Sequence, residues 1–333
     1  MKINLYYEFP NDDALINGSI QANWVHNFVK ISNRLIEKYP HIEFEKKFRW
    51  SGNMSSKNPW SPDLGVPFDK NTHASISDTI FIIENDENKK YFVITMWDKG
   101  YYELSSWSDL EEKCVEVFAH AGMHIDDLTY KISDMRYTPL NMPTIMHGEE
   151  IIINDLYYDN LKQDKRIIPE KLFFQTGRLY LFREYVYNND KRFNLVVGYD
   201  RDMKTWLNKI SQNKINIDIN CVAEPSGRIS QILGLGTALM RPRLNHRFHN
   251  DLIPNHHYIL VEHENYDNEI HGDIMTYYES LSNAYIQTFE KVKNDYEFIE
   301  FISRNGREYW ENYCLPEKWV ETTLGLINLE KLK

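Results

Sequence analysis

The chain has 333 residues, 42% of them hydrophobic and 14% aromatic, and a net charge of −11. That length and composition predict about two globular domains and exclude a disordered chain. The acidity argues against a general binder of nucleic acid or anionic membrane, although a local basic cluster can still hold a small anion. Cys114, Cys221 and Cys314 are far apart and form no CxxC pair. Neither a disulfide framework nor a zinc site is expected, and a reducing compartment is favoured.

MKINLYYEF reads as an opening strand with no apolar core of signal-peptide length, so a cytoplasmic protein is expected. The longest apolar run, near QILGLGTALM, is too short to span a bilayer. Asn17-Gly18-Ser19 and Asn53-Met54-Ser55 fit the glycosylation sequon and read as chance matches without a secretion signal. After strand 2–8, a loop leads to a helix over about 20–38, with Ile20, Trp24, Phe28, Ile31 and Leu35 at helical spacing. HIEFEKKF (41–48) reads as a strand and the Ser/Asn/Pro/Gly-rich 51–75 as a long loop. DTIFIIEND and YFVITMW are two strands joined by a polar turn. DLEEKCVEVFAHAG (109–122) reads as a helix capped by Asp109 and ended by Gly122.

Residues 134–170 read as irregular, with Pro139, Pro143 and Pro169, and the domain boundary falls at their end. KLFFQTG then begins a β/α alternation: strand FNLVVGYD, helix DMKTWLNKI, strand INIDINC, a polar loop, helix, strand. This order implies a parallel sheet. From about residue 280 the pattern is helical. The fold class is therefore α/β, and the order of elements suggests the GT-B architecture. There, two Rossmann-like domains face a cleft, the donor nucleotide sits on the C-terminal one, and a last helix crosses back. The corresponding division is 1–168, 169–310 and a returning helix at 311–333.

The densest chemistry lies in the loop before the helix at 228. Ser226, Gly227 and Arg228 stand where unpaired N–H groups and the positive dipole end suit a phosphate, and an arginine adds a bidentate clamp. A plain surface cap is the alternative, but arginine in a first turn opposes the dipole, which favours a nearby anion.

Segment by segment the chain resembles the protein O-glucosyltransferase and capsule-associated glycosyltransferase family (glycosyltransferase family 90). The resemblance rests on VITMWD (93–98), FFQTGR (173–178), CVAEPSGRISQILGLGTALM (221–240), HHYILVE (256–262) and ISRNGREYWENYCLP (302–316). It covers roughly 85–333 and is densest after 170. The chain departs from the family in its degenerate FQTG turn and in lacking the cysteines of secretory members, so cytosolic bacterial or viral relatives fit better.

The resemblance implies that Ser226 and Arg228 hold a donor diphosphate and that Asp98, at a strand end, is the base that deprotonates an acceptor hydroxyl. A turn-forming Asp before Gly is an equal reading of Asp98. Arg178 can reach the same phosphates or form a surface ion pair. Arg241 and Arg243 flank Pro242 at the edge where such sheets bind ligands, with solvated loop charge as the competing reading. His257 and Tyr258 are candidates for lining a ribose or sugar pocket. Trp97 is the best acceptor platform among Trp24, Trp50, Trp60, Trp97 and Trp107, most of which read as core. Asp12 and Asp13 lie in the first strand–helix loop that supplies the base in other inverting GT-B enzymes, although turn chemistry is the stronger reading; Asp13 stands as an acceptor-side candidate.

Asp200-Arg201-Asp202 matches the D-x-D of metal-dependent GT-A transferases, but the surrounding order makes it a helix cap. The dense histidines 246, 249, 256, 257 and 263 follow no metal-ligand pattern. No metal and no cofactor beyond the donor is expected. The expectation is an inverting, metal-independent transferase that moves a sugar from a nucleotide sugar, UDP-linked by resemblance, to a glycan or glycoprotein hydroxyl. The alternatives are a nucleotide-sugar epimerase on the same fold and a degenerate transferase kept as a glycan-binding protein.

Overall fold

The computed structural model describes residues 1–9, 20–50, 68–73, 80–95, 113–119, 123–124, 136–144, 148–163, 166–176, 182–197, 202–219, 227–244, 246–263 and 273–333. The contacts divide the chain into two units. One comprises Met1–His147, His246–Asp251 and Leu315–Lys333; the other comprises Gly148–Asn245 and Leu252–Cys314.

The first unit holds strands β1 (Lys2–Phe9), β2 (Glu43–Trp50), β3 (Phe68–His73), β4 (Ile80–Asn85), β5 (Tyr91–Thr95), β6 (Cys114–Ala119), β7 (Met123–His124) and β8 (Arg136–Pro139). Seven of them form one sheet in the order β3-β2-β1-β4-β5-β6-β8. Helix α1 (Ile20–Lys38) carries β1 to its parallel neighbour β2 and buries Phe28, Ile31 and Leu35 on Leu5, Tyr7 and Phe81. This is the expected apolar stripe of an amphipathic helix. The sheet is mixed, not uniformly parallel. Only residues 86–90 join β4 to β5, too few for a crossover, so the two strands must run antiparallel. β4 is also antiparallel to β1.

Two expectations fail here. Residues 114–119 are strand β6, not part of a helix. Val115, Val117 and Phe118 suit a pleated surface, and parallel pairing on both sides, with β5 and β8, outweighs the helical pattern. Glu116 within β6 is 6% exposed and is held by Thr138 at 2.5 Å and Lys331 at 2.6 Å. Residues 68–73, read as loop, are edge strand β3 beside β2, with a register irregularity between Phe48 and Trp50.

The second unit begins with helix α2 (Glu149–Gln163), where the sequence reads as irregular. Its run Ile151-Ile152-Ile153 weakens helix propensity, but burial of Ile153 and Leu156 favours the helix. Then β9 (Leu172–Thr176) leads to helix α3 (Phe182–Asn189), absent from the sequence reading, after which β10 (Phe193–Val197), α4 (Met203–Ser211), β11 (Ile215–Ile217), α5 (Gly227–Gly234) and β12 (Ala238–Pro242) follow as expected. Strand β13 (His246–Arg247) pairs with β7 in the first unit, and β14 (Ile259–Val261) returns beside β12. Every strand pair of the second unit is parallel. β9 neighbours β11, tied ahead of both by a parallel bridge between Ile167 and Asn213. Among the described residues the hydrogen-bonded ladders here are two, β10-β9 and β11-β12-β14; with β9 beside β11, the strands lie side by side in the order β10, β9, β11, β12, β14. Numbered along the chain this is 2-1-3-4-5, the doubly wound order whose chain direction reverses between its first and third strands.

Helices α6 (Ile274–Val292) and α7 (Tyr296–Tyr309) cover this sheet with Leu281, Tyr285, Phe289, Ile299 and Ile302. A π-helical turn, Trp310–Cys314, ends the second unit. Helix α8 (Pro316–Leu326) packs on α1 within the first unit, with Trp319 and Val320 in its core and Glu317 paired to Lys30 at 2.6 Å and Arg34 at 3.1 Å.

Candidate functional site

In a doubly wound sheet, ligands bind beyond the carboxyl ends of the strands at the reversal point. Here that point lies between β9 and β11. β9 runs out toward the start of α3, and β11 toward the start of α5. The second residue of each helix is an arginine: Arg183 in α3 and Arg228 in α5. Both guanidinium groups lie on the ring of Phe174 in β9. Arg183 is 5.1 Å and Arg228 4.5 Å from its centroid. Arg228 is also 5.2 Å from the ring of Trp206 in α4.

Phe174 is 1% exposed, so the platform itself is core. Arg183 is 5% exposed, and its Nε and Nη2 donate to the carbonyl of Ile219, beyond β11, at 3.3 and 3.0 Å. It thereby ties the two strand ends together. Because both cations sit on one ring, they are no more than about 10 Å apart. Their mutual repulsion is on the order of 2 kcal/mol at a near-surface effective dielectric. An arrangement that gathers two cations beside a helix N-terminus is suited to an anion with more than one charge.

The sequence singled out Arg228 and Gly227, and α5 opens at Gly227 as expected. It missed Arg183. The signal available was positional: an arginine in the first turn after a parallel strand, the same placement that marked Arg228. Ser226, Arg178, Asp98, Trp97, Asp12 and Asp13 lie outside the described residues.

Arg241 is not a solvated loop charge. It lies within β12 at 0% exposure and pairs at 2.8 Å with Asp218, itself 1% exposed. Its Nε also donates to the carbonyl of Pro242 at 3.1 Å, and the Tyr285 hydroxyl donates to the Asp218 carbonyl at 2.7 Å. This buried pair fixes the ends of β11 and β12. Arg243 is the next exposed residue beyond β12.

His257 and Tyr258 precede β14. Ile259 is opposite Met240, so His257 stands level with Ala238, at the amino edge of the sheet and away from the arginine pair. The His257 ring is 5.0 Å from Tyr309, and its Nδ1 accepts from the Ile253 N–H at 2.9 Å. Burial, and next the charge of His256, push its pKa down to about 4. Tyr258 is 1% exposed, and burial raises its hydroxyl pKa.

Asp202 is the N-cap of α4, accepting from the backbone N–H groups of Lys204 and Thr205 at 3.2 and 3.1 Å. That is the cap expected in place of a metal-binding D-x-D; Asp200 and Arg201 lie outside the described residues. Among the described residues no cluster of His, Cys, Asp and Glu has a metal-binding arrangement, and no helix is long and apolar enough to cross a membrane.

No protein-family model matches the chain, and no curated protein does. Among solved structures, a glycosyltransferase from Rickettsia africae ESF-5 is similar at a TM-score of 0.42 and 12% identity, over 93% of this chain and 81% of that one. A likeness of that degree assigns neither fold nor activity.

Proposed function

We propose that the chain is a glycosyltransferase that moves a sugar from a nucleotide sugar to a hydroxyl of a glycan or glycoprotein. The observation that carries this reading is the pair Arg183 and Arg228 on Phe174, at the reversal point of a parallel sheet. A nucleoside diphosphate is the anion that such a crevice accommodates: its phosphates meet the arginines and the start of α5, while its base and ribose lie along the strand ends. The family resemblance of the motif order supports a UDP-linked donor and GT-B architecture.

Bond breaking between the sugar and the diphosphate puts growing negative charge on the leaving phosphate. Two arginines and helical N–H groups stabilise that charge where it develops. They fill the role that a divalent ion plays in metal-dependent transferases, so the reaction in this reading is metal-independent. Asp98 takes the acceptor hydroxyl proton, with Trp97 as acceptor platform and Asp13 on the acceptor side. Ser226, Gly227 and Arg178 complete the donor contacts.

The test is release of UDP from a panel of UDP-hexoses and UDP-pentoses by the wild-type chain and by Arg228→Ala. Loss of one transition-state donor of this kind costs ~2.7–4 kcal/mol, or about 10²–10³ in turnover. Wild-type release that falls by that factor in the variant supports the reading; undiminished release in Arg228→Ala sinks it.

A further inference from the structure

One turn after Arg228, on the same face of α5, stands Gln231, which is 8% exposed. Its Oε1 accepts from the indole N–H of Trp206 at 3.3 Å, and its Nε2 donates to Oε1 of Glu149 at 2.5 Å. Glu149 is the first residue of α2 and is 0% exposed. An indole N–H only donates, so the Gln231 amide oxygen must face Trp206, which leaves its N–H groups to donate to the Glu149 carboxyl oxygen. The Trp206 ring at the end of this relay is one of the two on which the Arg228 guanidinium rests.

We infer that Glu149 is a positioning residue of the anion site, acting through Gln231 and Trp206 to fix the direction of Arg228. The inference rests on the reading of Arg228 given above. A fully buried carboxyl group is costly and is held where hydrogen bonds compensate it. An apolar side chain would fill the same volume without that cost. What the carboxylate adds is direction. Without it the Gln231 amide can turn, set N–H against N–H at Trp206, and release the ring that supports Arg228. A side chain that keeps an acceptor at this point preserves the relay; one that only fills space does not.

The experiment uses the full ¹⁵N-labelled chain and follows two signals, the Trp206 indole N–H and the Arg228 Nε–H, assigned with Trp206→Phe and Arg228→Lys. In Glu149→Leu both signals should move, and solvent exchange of the Trp206 indole proton should quicken ~tenfold or more, as loss of a buried hydrogen-bond acceptor implies. Glu149→Gln, whose amide oxygen can still accept from Gln231, should stay within about twofold of wild type. Gln231→Met cuts the relay at its centre and should reproduce Glu149→Leu; it carries the test where Glu149→Leu does not fold. Unmoved signals in the folded cutting variants would overturn the inference, as would a Glu149→Gln spectrum disturbed like that of Glu149→Leu. UDP titrated into the same samples should bind ~tenfold more weakly to Glu149→Leu than to Glu149→Gln, and equal affinities would also overturn it. A wild-type chain that binds no UDP would defeat the functional reading alone, since the two resonances still decide the relay.

Discussion

Replacing Gly236 by alanine should destabilise the second unit by about 2–4 kcal/mol. Gly236 makes the turn from α5 into β12 with φ +62°, a left-handed conformation that costs an L residue about 1–2 kcal/mol. A Cβ built there meets Cε2 of Tyr157 at 2.5 Å and Cδ2 at 2.8 Å. That ring cannot swing aside cheaply, because the Arg307 guanidinium lies 4.1 Å and that of Arg166 5.9 Å from its centroid. Both arginines are anchored in turn on carbonyls at and just beyond the end of α5: Arg307 on Gly234, Arg166 on Leu235 at 2.7 Å and on Gly236. Overpacking of this kind adds about 1–3 kcal/mol, and alanine's smaller unfolded-state entropy returns about 0.4–1 kcal/mol. The assay is native-state amide exchange of β12, which reports on the second unit separately and avoids treating a two-unit chain as two-state. Gly325→Ala in α8 is the control: nothing lies within 4 Å of its Cβ, and the first unit should gain about 0.5–1 kcal/mol. β12 amides within 0.5 kcal/mol of wild type in Gly236→Ala would refute the reasoning.

Other consequences are equally open to test. Asp218→Asn alone should cost about 3–5 kcal/mol, because it removes the carboxylate charge that faces the buried Arg241, whereas Asp218→Asn with Arg241→Met should cost less than the single change; chemical denaturation of the second unit decides. His257 has a folded pKa of about 4, below its ordinary value of 6.5, so its neutral form stabilises the fold above about 6.5 and that contribution is lost as the pH falls toward 4. The cause is burial, and next the charge of His256, so His257→Asn should flatten the decline in urea midpoint between pH 7 and pH 4.5. Asp202→Ala should cost ~1 kcal/mol by uncapping α4, measured by amide exchange of that helix.

The second unit was legible because its strands are short apolar runs separated by amphipathic helices, and Arg228 broke a local rule that helices otherwise keep. What escaped depends on contacts between distant segments. β6 carries a helix-compatible spacing, and only pairing with β5 and β8 makes it a strand. The antiparallel course of β4 and β5 follows from the short polar turn at 86–90, which leaves no room for a crossover. Helix α2 hid behind three consecutive isoleucines. Arg183 matters because the fold brings it to the ring that also holds Arg228, although Phe174 and Arg228 are 54 positions apart in the chain. Arg241, expected just after its strand, lies within β12 and faces a buried aspartate that no spacing rule links to it.

The central claim is that the reversal point between β9 and β11 binds a nucleoside diphosphate. The most direct measurement is a thermal-shift screen of the full chain against UDP, GDP, CMP and UMP, with and without Mg²⁺ or Mn²⁺. A ligand at 100 times its dissociation constant stabilises the folded protein by ~2.7 kcal/mol, which moves the midpoint by degrees in a chain of this size. The account predicts an upward shift with one nucleoside diphosphate, independent of metal and absent in Arg183→Gln and Arg228→Ala. A shift that requires metal, or none with any nucleotide, would contradict it.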